Sequence, residues 1–82
     1  MTKIKTQAAQ FGNWTKGTTE DGHTFCIKHF DTGSTYGIDE GKISKLEIRK
    51  GGEILANYDR GWDIEPADTA TAAYNAILAA YN

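Results

Sequence analysis

"ISKLEIRKGGEILANY", residues 43–58, is the stretch on which the fold turns. Two runs of alternating apolar and polar residues flank Lys50-Gly51-Gly52. Period-two alternation around a glycine pair is the pattern of an antiparallel hairpin with one wet face. A two-residue Gly-Gly loop sets Leu46 opposite Asn57, mixing apolar with polar. A three-residue loop pairs Ile48 with Ile54, Leu46 with Ala56 and Ser44 with Tyr58, so this register is the expectation. It also sets Arg49 opposite Glu53 on the wet face and requires Gly52 in the left-handed conformation.

Working outward, residues 11–18 and 23–31 read as two further strands joined at Glu20-Asp21-Gly22, whose Asp-Gly pair suits a hairpin turn. In HTFCIKHFD, alternation places Phe25 and Ile27 on one face and Cys26 and Phe30 on the other, so neither face is cleanly polar and the strand is expected to be central. Turn formers between Asp31 and Gly41 predict a surface loop around Tyr36 and Ile38. Residues 1–10 hold Ile4 as their only large apolar residue besides Met1, and are expected to be a flexible arm or an edge strand. At the other end Ala70, Ala73, Tyr74, Ile77, Leu78 and Tyr81 recur at helical spacing, which predicts a helix over residues 66–81 with Pro66 at its first position. The expected fold is α+β: an antiparallel sheet of about four strands (11–18, 23–31, 43–50, 53–58) carrying one C-terminal helix, with residues 11–82 as a single domain.

With 82 residues the chain has material for one core only. A net charge of −2 supplies no overall field for nucleic acid and argues against it as a partner. A single cysteine, Cys26, excludes an intramolecular disulfide framework, and no apolar run matches a signal peptide or a membrane span, so the expected location is cytoplasmic with no membrane partner.

His23, Cys26 and His29 resemble a metal cluster in one dimension. On a strand, however, residues 23 and 29 share a face that residue 26 does not, so no metal site is expected, and the expectation is a semi-buried thiol with two surface or rim histidines. Lys42, Lys45, Arg49 and Lys50 form a basic stripe along one strand, interrupted by Glu47 and Glu53, and read as a solvated sheet face. No phosphate-cradling loop is present and no cofactor is implied.

The densest functional signal is YDRGWD, residues 58–63. Asp59, Arg60, Trp62 and Asp63 occupy the corner where strand gives way to helix. Arginine and tryptophan are the residue types most enriched in interaction hot spots, although the same residues also suit a fold-closing turn. Tyr36-Gly37-Ile38, the ISKL strand at residues 43–46 and the YDRGWD corner together resemble a family of small uncharacterised proteins of Gram-positive bacteria and their prophages. That resemblance implies a phage or mobile-element setting and carries no activity or catalytic residues with it.

The functional expectation is therefore a non-catalytic module that binds a protein partner through Arg60, Trp62, Asp59, Asp63, Tyr36 and Ile38. Two alternatives stand beside it. One is an acidic decoy of a host nucleic-acid-binding factor, built on Asp59, Asp63, Glu65 and Asp68. The other is a small-ligand protein or enzyme with its site at a homodimer interface, for which the alanines at positions 72, 76, 79 and 80 leave a close-approach face.

Overall fold

The computed structural model describes residues 4–82 and, for residues 5–11, the backbone alone. Six antiparallel strands lie in sequence order: β1 (Ile4–Phe11), β2 (Trp14–Thr19), β3 (Thr24–His29), β4 (Ile43–Lys50), β5 (Glu53–Asp59) and β6 (Trp62–Ile64). A 3₁₀ turn, Asp68–Ala70, leads into α1 (Thr71–Tyr81), which covers one face of the sheet. The α+β class is as expected, but five full strands and a three-residue sixth stand where the sequence argued for about four. The strand expected at residues 11–18 is divided, because Gly12 at φ +57° turns the chain and pairs Phe11 with Trp14. Residues 1–3 of the expected arm lie outside the described residues; Ile4–Phe11 is an edge strand held by its ladder to β2.

The central hairpin departs from both idealised registers. Gly51 (φ +60°) and Gly52 (φ +83°) make a two-residue turn with both residues left-handed, joining Lys50 to Glu53. This is the turn that matches the twist of paired strands. A bulge then shifts the ladder between Ile48 and Arg49, giving Arg49 opposite Ile54, Ile48 opposite Ala56 and Leu46 opposite Tyr58. One extra residue in β5 restores the parity that an unbulged two-residue turn would have broken. The expected pairs of Ile48 with Ile54 and Arg49 with Glu53 are thus replaced, and Arg49 instead donates to Glu47 on its own strand at 2.6 Å.

Two cross-strand rows of residues run along the covered face. Thr15, Ile27, Leu46 and Tyr58 form one; Gly17, Phe25, Ile48 and Ala56 form the next. Ile27, Ile43, Ile48 and, from α1, Ile77 are fully buried, each contributing about 1.5–3 kcal/mol of transfer free energy. The helical stripe is as the spacing predicts: Ala70, Ala73 and Ile77 are buried, with Tyr74, Leu78 and Tyr81 packed beside them. Its start is later than expected. Pro66 lies in an extended connection, where the Ala67 N–H donates to the Leu55 carbonyl at 3.0 Å, and helical geometry begins only beyond it.

His23 is buried, not at a rim, because the loop from Thr19 to His23 folds back on itself. The Thr19 N–H donates to the His23 carbonyl at 2.8 Å, and His23 Nδ1 lies 2.9 Å from Asp21. His29 Nε2 lies 2.8 Å from the Thr15 hydroxyl, so both imidazoles belong to the covered face.

Asn82 ties the end of α1 to the loop before β4. Its Oδ1 accepts from the Ile43 N–H at 2.9 Å, and its Nδ2 donates to the Ile38 carbonyl at 3.1 Å. Asn82→Ala leaves the N–H of a fully buried residue without its acceptor and is expected to lower stability by about 1–3 kcal/mol in urea unfolding. An unchanged midpoint would show that water replaces the side chain.

Candidate binding face

Alternation that sends Ile27 and Leu46 inward sends their neighbours to the uncovered face. There the cross-strand rows run Trp14, Lys28, Lys45, Asp59, and then Lys16, Cys26, Glu47, Asn57. Lys28 and Lys45 stand directly opposite each other, an arrangement of like charges that weakens a sheet. Lys28 Nζ sits 5.9 Å from the Trp14 ring centroid and 5.6 Å from that of Phe30, and Lys45 Nζ also lies 5.9 Å from Trp14. The aromatic faces thus hold the two ammonium groups in place.

The segment between β3 and β4 brings Phe30, Ser34 and Tyr36 to the edge of this face. The Phe30 N–H donates to the Lys42 carbonyl at 3.0 Å, and the loop is tight enough that a Cβ on Gly37 would collide with the Gly41 carbonyl. From inside the core, the Tyr58 hydroxyl donates to the Tyr36 carbonyl at 2.9 Å. That bond fixes the backbone and leaves the Tyr36 ring 62% exposed at the rim. Ile38, two residues on, is buried at 1% exposure, so its side chain is a core element and not a surface contact.

YDRGWD is divided by the sheet. Tyr58 faces inward, and the Trp62 ring packs edge-on between Tyr58 at 4.9 Å and Tyr74 at 5.6 Å, closing the sheet against the helix. Asp59 faces outward, 3.8 Å from Lys45 Nζ and 3.6 Å from Arg60 Nε. Arg60 occupies the left-handed region at φ +58°, with its N–H bonded to the Ser44 carbonyl at 3.0 Å. Asp63 is exposed on β6. Arg60, Asp59 and Tyr36 are therefore brought to one side, whereas Trp62 points to the opposite one.

Two open hollows result. One, of about 370 Å³, is lined by Lys28, Lys45 and Arg60, by the Ser34 and Ser44 residues, and by the Phe30 and Tyr36 rings. The other, of about 350 Å³, has Trp14 as a wall and includes Cys26, Glu47, Asn57 and Asp59; the two share Lys45. Burial pushes the Cys26 thiol up from its ordinary range, with Glu47 adding to the shift and Lys16 opposing it. Trp14, Lys28 and Phe30 were not singled out from sequence; the signal was their shared outward parity, which becomes meaningful only with the β2–β3 register. The basic stripe expected along β4 is instead a band across strands, since Lys50 reaches away to the Asp21 carbonyl at 3.2 Å.

A family model described as a domain of unknown function, DUF7678, matches residues 13–82. The chain belongs to the DUF7678 family. Neither a curated protein nor a solved structure matches it. The DUF7678 match covers β2 through α1, and so includes every residue that lines the two hollows. Among the described residues no helix is long and apolar enough to cross a membrane.

The division of the corner makes a contrast that calorimetry or urea unfolding can read. Trp62→Ala is expected to destabilise the domain by about 2 kcal/mol, through loss of a half-buried ring. Arg60→Gly is expected to stabilise it by about 1 kcal/mol, because glycine removes the left-handed strain. The reverse order would overturn the assignment of Trp62 to structure and Arg60 to the surface.

Proposed function

We propose that this chain is a small non-catalytic binding module, a cytoplasmic accessory protein of a phage or other mobile element of Gram-positive bacteria, which engages a negatively charged macromolecular partner through the uncovered face of its sheet. The observation that carries the reading is the Lys28–Lys45 pair, set directly opposite across two strands and flanked by the exposed rings of Trp14, Phe30 and Tyr36. Two ammonium groups held side by side by aromatic rings, with the Asp59 carboxylate beside one of them, complement an anion.

Charge segregation supports the same reading. Along the cross-strand rows from β2 to β5, Lys16, Lys28, Lys45 and Arg49 stand with two carboxylates, Glu47 and Asp59, and Arg60 borders the same hollow as Lys45, so these rows are net positive although the chain as a whole is at −2. Asp59 stands among cations, 3.8 Å from Lys45 Nζ and 3.6 Å from Arg60 Nε, which weighs against a decoy role. A non-catalytic role is supported by the opposite facing of the candidate nucleophile and bases: Cys26 looks outward, while His23 and His29 belong to the covered face. Ala72, Ala79 and Ala80 are exposed on α1 and leave a homodimer compatible with an open binding face.

Affinity capture from host lysate with wild type and a Lys28→Gln, Lys45→Gln variant tests the proposal. Wild type is expected to retain a partner that salt releases, because attraction between exposed charges is screened within about 10 Å at 0.1 M salt, and the variant is expected to lose it. Identical retention by both proteins would move recognition elsewhere.

A further inference from the structure

We propose that the partner of this face is a single-stranded nucleic-acid segment, two successive nucleotides of which occupy the two hollows with Lys45 between them. This rests on the reading of the uncovered face as the binding surface and names its ligand. Each hollow has an aromatic wall, Trp14 in one and Phe30 with Tyr36 in the other, and the two meet at Lys45; Lys28 and Arg60 add their charge to the second, while Glu47 and Asp59 line the first. Rings on either side of a cation match a chain that repeats base and phosphate. Unpaired bases stack on exposed aromatic rings, and lysine or arginine meets the backbone between them.

The alternatives use less of the surface. An acidic peptide would satisfy Lys28, Lys45 and Arg60 but give no planar group to three rings that are exposed beside them. A duplex keeps its base faces stacked inside and would meet only the cations. The polar groups fit bases and sugars as well: the Asn57 carboxamide and Glu47 carboxylate lie in one hollow, where they can bond base edges, and Ser34 and Ser44 lie in the other. A phosphate between Lys28 and Lys45 also removes the repulsion of their pairing.

The net charge of −2 pointed away from nucleic acid because it sums a positive face with an acidic remainder. Its consequence is a short site with a shallow salt dependence. Two or three phosphate contacts on a single strand predict a slope of log K against log salt between about −1.4 and −2.1.

The test uses Trp14 as the reporter. The chain has two tryptophans, so Trp62→Phe leaves Trp14 alone to report stacking by its fluorescence. This protein is titrated with a mixed-sequence single-stranded deoxyoligonucleotide, its ribo counterpart, the duplex of the same sequence, a mononucleotide and an oligoglutamate peptide. The single strands are expected to quench Trp14 and to bind at least about tenfold more tightly than the duplex or the mononucleotide. Tyr36→Ala or Lys28→Gln should weaken them at least about fivefold, consistent with the loss of one stacking or phosphate contact, and Lys50→Gln should leave them unchanged. Single strands should also protect Cys26 from alkylation, since it lines the Trp14 hollow. Each variant is first shown to be folded by circular dichroism.

Binding of oligoglutamate in preference to the strands would overturn the nucleic-acid assignment and leave the binding face standing. Equal binding of duplex and single strand would overturn base stacking, and equal binding of mononucleotide and oligonucleotide would overturn the two-hollow arrangement. No binding by any probe, with lysate capture also unaffected by the lysine substitutions, would remove both the ligand and the face.

Discussion

A single extra residue in β5 determines which side chains this molecule presents. Strand side chains alternate with period two, so a slip of one position exchanges the two faces of everything that follows it. The bulge beside Gly51-Gly52 puts Leu46 opposite Tyr58, which sends Tyr58 into the core and Asp59 to the open surface. From inside, Tyr58 holds the Tyr36 carbonyl and packs against Trp62, so it anchors both the loop and the corner. From outside, Asp59 gathers Lys45 and Arg60. Without the shift, Tyr58 and Asp59 would exchange faces, and neither the rim position of Tyr36 nor the cationic hollow would form.

What could be read from the chain alone follows from the range of the signal. The stripe from Ala70 to Tyr81 is local and repeats at helical spacing, so it was legible, as was the site of the β4–β5 hairpin. The register was not. A bulge leaves no compositional mark, and pairing apolar with apolar is satisfied by more than one offset. β1 was ambiguous because its ladder to β2 holds it, while residues 1–10 offer Ile4 as their only large apolar residue besides Met1. His23 was misplaced because it lies in a loop whose fold-back depends on Thr19 and Asp21.

The candidate site was legible in part, for the same reason. YDRGWD stood out as composition, yet its residues serve both sides of the sheet: Trp62 closes the core, while Arg60 and Asp59 belong to the surface. Trp14, Lys28 and Lys45 are separated by 14 and 17 residues along the chain and meet only through two ladders. No window of sequence contains them together, so no local motif can report them.

Two features that oppose stability meet at one hollow. Arg60 is held in a left-handed conformation that costs about 1–2 kcal/mol for a residue with a Cβ, and Lys28 faces Lys45 across the ladder. A core built for stability alone has no use for either. The neighbouring Gly61 shows that the turn already contains a residue free of that strain, while the arginine occupies the position that brings its charge to the hollow. The cations are held rather than neutralised: aromatic rings support Lys28, and a half-exposed carboxylate at 3.6–3.8 Å supports Lys45 and Arg60. Such contacts orient a charge and leave most of its field available. A bound anion would offset the repulsion that the fold tolerates here, so the local strain and the proposed binding are two consequences of the same arrangement.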